Sequence, residues 1–158
     1  MILVTLGTQD KHFTRLIAMV DELIKDGTIQ DEVFVQAGST AYQSDKMQIF
    51  DYIDMESYEK LLAQCDVLIT HGGVGTILSA LKDGKIVIGV AREARYKEHH
   101  NDHQKEIIDS FSTQGLILKA EDVASLKMAL AKAKTFEPKP FVSNNENFIK
   151  LISKELGI

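Results

Sequence analysis

The sequence predicts an α/β fold in which a mostly parallel sheet is covered by helices on both faces. Short apolar runs alternate along the chain with amphipathic stretches of helical period, as in successive βαβ units. Two central runs, 67–69 and 86–90, are continuously apolar, which is typical of strands buried on both faces of a parallel sheet. Glycine-containing turns follow several runs, at the points where a strand would lead into a helix.

The first half of the chain predicts three strands and two helices. Apolar residues between positions 13 and 24 recur three and four apart, which places them on one helical face, and Gly27 marks the end of that helix. In the second helix Tyr58, Leu61 and Leu62 face inward. The predicted elements are, in order, a strand at 2–6, a helix over 13–24, strands at 33–35 and 47–52, and a helix over 55–64.

The second half continues the alternation and ends in a proline-containing connector. Pro138 and Pro140 stiffen the linker 134–140, and an amphipathic C-terminal helix is predicted within 141–158. The remaining elements are a strand at 67–69, a helix over 77–82, a strand at 86–90, a helix that begins within 99–104, a strand at 116–118 and a helix over 123–133. Because no internal repeat divides the chain, residues 1–158 are predicted to form a single Rossmann-like domain.

The composition indicates a globular chain of ordinary domain size. The 158 residues are 44% hydrophobic, enough to exclude a largely disordered chain. With 18 Lys+Arg against 23 Asp+Glu and no basic stripe, the net charge of −5 argues against a nucleic-acid partner. The single cysteine, Cys65, cannot form an internal disulfide, and no apolar run reaches the ~18 residues of a transmembrane helix. We therefore expect a cytoplasmic protein.

The strongest local signal is a glycine-rich turn between a predicted buried strand and a helix, His71-Gly72-Gly73-Val74-Gly75-Thr76. Glycines let the backbone turn sharply and let a ligand approach the amides, and the start of the following helix favours a phosphate. The alternative is that these glycines only permit a tight turn. The turn lacks the Gly-Lys-Ser/Thr ending of a Walker A loop, and the first strand is not followed by the triple glycine of a dinucleotide-binding turn.

A second signal is a run of seven polar residues at a predicted helix start, Glu98-His99-His100-Asn101-Asp102-His103-Gln104. Asn101 or Asp102 is suited to cap the helix. His99 and His103 are spaced i, i+4, and together with His100 they raise a metal-dependent hydrolase as one alternative. The chain has no His-Glu-x-x-His pattern and no cysteine pair, so we expect no metal. The other interpretations are a solvated helix start and a cluster of hydrogen-bonding groups for a hydroxyl-rich ligand such as a sugar.

The third signal follows the first strand and reads Gly7-Thr8-Gln9-Asp10. Taken alone, it indicates a strand-to-helix turn in which Thr8 or Asp10 lies near the cap. Ligands of parallel sheets bind at the carboxyl ends of the strands, where the three loops are predicted to meet. Their combined preference is for a phosphate and several hydroxyls, which describes a nucleotide sugar. Phe50 and Tyr52, at the end of the third strand, are candidates to flank a base, although such residues more often belong to the core.

Five segments resemble, in order and spacing, the Alg13-like glycosyltransferases, and most of all the PssE-type subunits of bacterial exopolysaccharide and capsule synthesis. These segments are 3–8, 13–17, 36–40, 70–76 and 101–104. The resemblance extends over nearly the whole chain. It implies that the domain is a single GT-B half, the donor-binding half that is also found in MurG.

The resemblance implies that the donor is a UDP-sugar. It assigns the diphosphate to the glycine-rich turn, with His71 near the nucleotide, and the sugar hydroxyls to His103 and Gln104. Glu98 and Asn101 would lie near the sugar, and the first loop would line the cleft toward the acceptor. The residues so implicated are Gly7, Thr8, His71, Gly72, Gly73, Gly75, Thr76, Glu98, Asn101, His103 and Gln104.

Two positions depart from the family pattern. Ser79 stands where the family has a glutamate that binds the ribose hydroxyls, and a serine cannot make that charged bidentate contact. The first loop has Gln9-Asp10 where close relatives have His-Glu, which leaves Asp10 as the candidate general base, with His12 nearby. The resemblance implies no metal and no cofactor other than the donor substrate, since helix dipoles and amides offset the charge of the departing diphosphate.

The resemblance also implies an inverting transfer to a lipid-linked saccharide acceptor. The acceptor half would be supplied by a membrane-anchored Alg14-like or PssD-like subunit, which would hold this chain at the inner face of the membrane. The C-terminal helix is a candidate to pack on that partner or on its own sheet. The alternative, from a different class, is a non-catalytic nucleotide-binding or regulatory subunit in which Ser79 marks lost donor binding. Which UDP-sugar is used stays open.

Overall fold

The structure, a computed structural model, describes residues 1–7 and 10–140. Six strands and five α-helices alternate along this part of the chain. They are β1 Ile2–Thr5, α1 Thr14–Lys25, β2 Val33–Gln36, β3 Gln48–Phe50, α2 Met55–Gln64, β4 Val67–Thr70, α3 Val74–Lys82, β5 Ile86–Gly89, α4 His103–Thr113, β6 Leu118–Lys119 and α5 Val123–Ala133. A single 3-10 turn, Ala94–Tyr96, precedes α4.

The strands form one parallel sheet in the order β3-β2-β1-β4-β5-β6. The doubly wound, Rossmann-like α/β fold predicted from the sequence is therefore confirmed. The chain leaves β1 toward one edge of the sheet and leaves β4 toward the other, so the topological switch point lies between these two central strands. Ligands of such sheets bind in the crevice at the carboxyl ends of the strands at this point.

Side chains alternate between two apolar layers, because successive residues of a strand point to opposite faces. Val4 packs with α1 and α5 on one face, whereas Leu3 packs with α2, α3 and α4 on the other. Asp54 begins α2 by accepting the backbone N–H of Ser57 at 3.1 Å. Asp122 and Ser125 form a capping box at the start of α5.

Several boundaries differ from those predicted. The helix predicted over 77–82 begins at Val74, because the first helical hydrogen bond runs from Ile77 N to Gly73 O at 3.1 Å. Gly75 and Thr76 therefore lie in its first turn rather than in a loop. The sixth strand lies at Leu118–Lys119, later than the predicted 116–118. The start predicted within 99–104 is confirmed, because α4 begins at His103, whose N–H donates to Asn101 Oδ1 at 3.0 Å.

The linker 134–140 runs from α5 toward the turn after α4. Lys139 N donates to Gly115 O at 3.0 Å, and the methylenes of Lys139 pack beside this glycine. The C-terminal helix predicted within 141–158 falls outside the described residues. None of the helices within 1–7 and 10–140 has the length and apolar character that a membrane span requires.

The packing of α3 positions its N-terminus at the switch point, and Ile77 is its fully buried anchor. We expect Ile77→Ala to lower the free energy of unfolding by about 2–5 kcal/mol, because truncation leaves a cavity. Met128→Ala is the control, since Met128 is 73% exposed on α5, and we expect a change within about 0.5 kcal/mol. Urea denaturation measures both, and equal effects of the two variants would contradict this description of the core.

Candidate functional site

The loops after β1, β4 and β5 come together at the carboxyl edge of the sheet. β1 and β4 are neighbours in register, with Thr5 opposite Thr70, and the hydroxyl of Thr5 donates to that of Thr70 at 2.9 Å. β5 adjoins β4 on the other side. Because the strands end side by side, Gly7, His71 and Arg92 lie at one crevice although the sequence separates them widely.

His71 forms the floor of this crevice. Its side chain is 6% exposed and lies between Gly7 and Gly73. A Cβ on Gly7 would lie 2.6 Å from both Cε1 and Nε2 of the imidazole, and a Cβ on Gly73 would lie 2.8 Å from Cε1 and 2.9 Å from Nε2. Gly7 also has a φ of +81°, which L side chains rarely adopt. Only glycine at both positions lets the backbone pass this close to the ring, and we call Gly7, His71 and Gly73 the imidazole cradle.

The imidazole of His71 is held neutral. Burial and the positive charge of Arg92 lower its pKa to about 3, while the side chain of Gln104 acts in the opposite direction. Nδ1 is buried and has no hydrogen-bond partner among the described residues. A neutral imidazole carries one N–H donor and one acceptor, so the cradle presents a polar group without a net charge.

The start of α3 adds backbone donors beside the cradle. Its cap, Gly73, has no side chain to satisfy the first N–H groups, and the helical bonds begin only at Ile77. The amides of the first turn, which includes Gly75 and Thr76, are therefore not used by the helix. Unpaired N–H groups and the positive end of the helix dipole favour an anion.

An open cleft of about 300 Å³ adjoins the cradle on the β2 side. Its walls come from the ends of β1 and β2, the β3–α2 connection, α2 and the start of α3. The lining residues are Thr5, Gly7, Gln36, Tyr52, Ile53, Met55, Tyr58 and Thr76. The Tyr58 hydroxyl is buried without a hydrogen-bond partner in the described part of the chain, and burial raises its pKa. The cleft thus combines apolar walls with a few polar groups, the usual character of a small-molecule site.

Glu98 and Gln104, which the family resemblance places near the sugar, are both engaged within the fold. The carboxylate of Glu98 is 4% exposed and accepts from Arg15 Nε at 3.1 Å and Nη2 at 3.0 Å. Gln104 is 1% exposed, and its Oε1 accepts from Arg92 N at 3.4 Å. Gly72 has a φ of +96°, and a Cβ there would lie 3.0 Å from Ile108 and 3.3 Å from Gln104. The absence of a side chain at Gly72 therefore lets α4 pack close to this turn.

The other polar residues around the start of α4 reach solvent, except for His99, which is buried. Asn101 is half-buried and accepts the N–H of His103, which is also half-buried. His99 and His100 stack with ring centroids 4.4 Å apart. Within the described ranges, no group of three or more His, Cys, Asp or Glu side chains is placed to hold a metal ion.

Three further candidate residues are Ser79, Asp10 and Thr8. Ser79 is exposed on α3, one turn beyond Thr76. Asp10 is exposed at the beginning of the second described range. Thr8 lies outside the described residues, so its assignment to the cleft stays a prediction.

Sequence reasoning missed Arg92 as a functional candidate. Its guanidinium is 1% exposed and donates to the backbone carbonyls of Leu6, Lys11 and Glu98. Arg15 had appeared only as part of a family motif. The available signal was an arginine directly after a buried strand, where a charge is costly to bury unless the fold uses it.

The cradle makes a steric prediction. Gly73 has an ordinary φ of −69°, so the effect of Gly73→Ala comes from the contact with His71 alone, and we expect the free energy of unfolding to fall by about 1–3 kcal/mol. Gly75→Ala is the matched control, because a Cβ at Gly75 meets nothing within 4 Å and alanine raises helix propensity by up to about 1 kcal/mol. Chemical denaturation compares the two, and a Gly73→Ala variant as stable as Gly75→Ala would refute the cradle.

The neutral imidazole makes a prediction about pH. The folded pKa of His71, about 3, is below its ordinary value of 6.5, so the unfolded chain binds more protons between these values. Stability from this group is complete above pH ~6.5 and declines as the pH falls toward 3. We expect the free energy of unfolding to drop less between pH 7 and pH 4.5 in His71→Gln than in the wild type. His12→Gln, at an exposed histidine, is the control, and parallel profiles for wild type and His71→Gln would exclude this linkage.

Several solved structures share the architecture of this chain. An NMR solution structure of ALG13 superposes with a TM-score of 0.60 at 20% identity, covering 99% of this chain and 96% of that one. CalG4, the calicheamicin glycosyltransferase, gives 0.63 at 15% identity, covering 97% of this chain and 36% of that one. MurG from Acinetobacter baumannii gives 0.51 at 14% identity, covering 96% of this chain and 49% of that one.

At these identities the likeness shows the fold, a GT-B half. This chain spans about a third of the length of CalG4 and about half of the length of MurG. No curated protein matches the sequence. The model of the glycosyltransferase family 28 C-terminal domain matches residues 1–156, and the chain therefore belongs to that family.

Proposed function

We propose that this chain is the UDP-sugar-binding subunit of a two-component inverting glycosyltransferase. In this proposal it works with a PssD-like or Alg14-like membrane-anchored subunit and adds a hexose to a lipid-linked saccharide in exopolysaccharide or capsule synthesis. The observation that carries the proposal is the imidazole cradle, which lies at the switch point between the start of α3 and the open cleft.

The diphosphate would bind at the cradle and the first turn of α3. The amides near Gly75 and Thr76 offer N–H donors, the Thr76 hydroxyl lines the cleft, and His71 supplies a donor without a positive charge. As the bond to the sugar breaks, negative charge grows on the diphosphate. Fixed donors that point at this charge stabilise the transition state more than the ground state.

The nucleoside would occupy the cleft of about 300 Å³. Tyr52 is 54% exposed and Met55 is 70% exposed at its rim, so both have apolar surface that a base would cover. Ser79, one turn along α3, offers the ribose a single hydroxyl in place of a carboxylate. Donor binding would therefore depend more on the diphosphate contacts than it does in relatives with the glutamate.

The sugar would lie toward the β5–α4 loop. Asn101 and His103 are half-buried there, whereas Glu98 and Gln104 are turned into the fold. We therefore assign direct sugar contacts to Asn101 and His103. Gly7 and Thr8 would line the cleft toward the acceptor, and Asp10 would take the proton of the attacking acceptor hydroxyl.

In this proposal a partner subunit supplies the other half of a GT-B enzyme. The chain spans 49% of MurG but is nearly matched in length by ALG13. A membrane-anchored partner would supply the acceptor site and bring the complex to the inner face of the membrane. The segment 141–158 remains our candidate for the contact with it.

Two observations favour a second candidate function, a nucleotide-binding subunit without catalysis. Ser79 replaces the ribose-binding carboxylate, and Asp10 is exposed with no ion-pair partner among the described residues. A subunit that had lost donor turnover would keep the fold and relax these two positions. Binding and turnover must therefore be measured separately.

Isothermal titration with UDP, UDP-sugars and ADP tests the proposal. We expect UDP to bind and ADP to bind at least about tenfold more weakly, and Gly73→Ala to weaken UDP binding about tenfold or more because it displaces His71. Met128→Ala, on the exposed face of α5, is the control and should bind as the wild type does. Transfer is then assayed with a coexpressed membrane partner and each UDP-sugar.

Three outcomes decide between the candidates. UDP binding with sugar transfer in the complex supports the transferase. UDP binding without transfer, for every donor and with the partner present, supports the non-catalytic subunit. No UDP binding, with or without the partner, overturns both.

A further inference from the structure

We propose that Arg92 is a positioning residue that ties the backbone after β1 to the backbone after β5 and so holds the imidazole cradle in shape for a diphosphate. This inference rests on the proposed function, because it assigns a role at the same site. Arg92 touches no part of the proposed donor. It acts through the loops that do.

The guanidinium of Arg92 joins three stretches of backbone. Nη1 donates to Lys11 O at 2.7 Å and to Glu98 O at 3.0 Å, and Nη2 donates to Leu6 O. Leu6 immediately precedes Gly7 of the cradle, and Lys11 lies just before α1. Since all three acceptors are backbone carbonyls, Arg92 restrains the path of the chain rather than the orientation of a side chain.

The burial of the Arg92 guanidinium indicates that its hydrogen bonds to the backbone have a structural role. Arg92 is 1% exposed, and burial lowers its pKa while the charge of Glu98 raises it. A buried charge is costly unless it is hydrogen-bonded, and here the acceptors are carbonyl dipoles. The ring of Phe13 lies 5.1 Å from the guanidinium carbon and completes the enclosure.

A second arginine secures the same loop and leaves Arg92 free of a carboxylate. Arg15 binds the Glu98 carboxylate through two nitrogens and also donates to Ala91 O at 2.9 Å. The carboxylate of Glu98 is therefore paired with Arg15, while only its backbone carbonyl meets Arg92. The positive charge of Arg92 also acts on its surroundings, where it contributes to lowering the pKa of His71 and of His99.

These contacts link Arg92 to the geometry of the cradle. The carbonyl of Leu6 and the N–H of Gly7 belong to the same peptide unit, so a shift at Leu6 moves Gly7 against the imidazole. A Cβ on Gly7 would lie only 2.6 Å from the imidazole of His71, so this approach leaves no room for a side chain. Loss of the Arg92 contacts would let Gly7 move relative to His71 and would displace the hydrogen-bond donors that face the diphosphate. The residues that line the nucleoside cleft would stay in place.

The test compares the affinity for UDP with that for uridine in Arg92→Lys and Arg92→Met. A lysine keeps the charge, but its donors all sit on one nitrogen and cannot reproduce the planar fork by which Nη1 and Nη2 reach the three carbonyls. We therefore expect both variants to bind UDP roughly tenfold more weakly. Uridine lacks the diphosphate, and its affinity should change less than about twofold. Arg95→Met is the matched control, because Arg95 is an exposed arginine of the same loop that contacts Glu93 and Tyr96.

Amide exchange measured by NMR without nucleotide separates this proposal from the proposed function. We expect faster exchange at Gly7, His12 and His99, whose N–H groups share peptide units with the three carbonyls, in Arg92→Lys than in the wild type or in Arg95→Met. If the wild type binds no UDP, the proposed function fails, whereas faster exchange in Arg92→Lys still supports the tie between the loops.

Three results would overturn the role of Arg92. They are UDP affinity in Arg92→Lys equal to that of the wild type, an equal loss of uridine and UDP affinity, and unchanged amide exchange. If the Arg92 variants do not fold, amide exchange of the wild type with and without UDP tests the proposal instead. UDP should then slow exchange at Gly7 and at His99 together, and protection of one without the other would exclude the tie.

Discussion

The parallel pairing of β1 with β4 is the constraint on which the site depends. Thr5 and Thr70 end the two strands opposite each other, and their hydroxyls bond at 2.9 Å in the core. This pairing sets where the following loops begin, and it brings Gly7 over the ring of His71. With a register shifted by one residue, the side chains of β4 would exchange faces, and the imidazole would leave the crevice.

The site combines a neutral ring with fixed positive charge at a distance. Burial keeps His71 uncharged. The imidazole can therefore form hydrogen bonds in the crevice without the free-energy cost of burying a charge there. The positive potential comes instead from the start of α3 and from Arg92, whose two terminal nitrogens donate to backbone carbonyls. Such preorganised dipoles and charges need little rearrangement when an anion arrives, which is the arrangement expected where a diphosphate must both bind and leave.

Some elements were predicted from the sequence with their observed bounds, and others were not. The helices Met55–Gln64 and Val123–Ala133 were predicted with their observed bounds, since each has a clear capping residue and a regular apolar stripe. The start of α3 was missed because Gly75 suppresses helix propensity, and tertiary packing of Val74 and Ile77 overrides it. Glu98 and Gln104 were assigned to a ligand by family position, yet their burial engages them with Arg15 and Arg92.

The sequence by itself determined the fold class, the order of the elements and the three loops that meet at the sheet edge. These features follow from local periodicity and from the general rule that ligands bind at the carboxyl ends of parallel strands. Only the tertiary structure decided which polar residues face the crevice. Burial, the charge on His71 and the contacts of Arg92 depend on neighbours up to 86 positions away in the chain, and no local pattern contains that information.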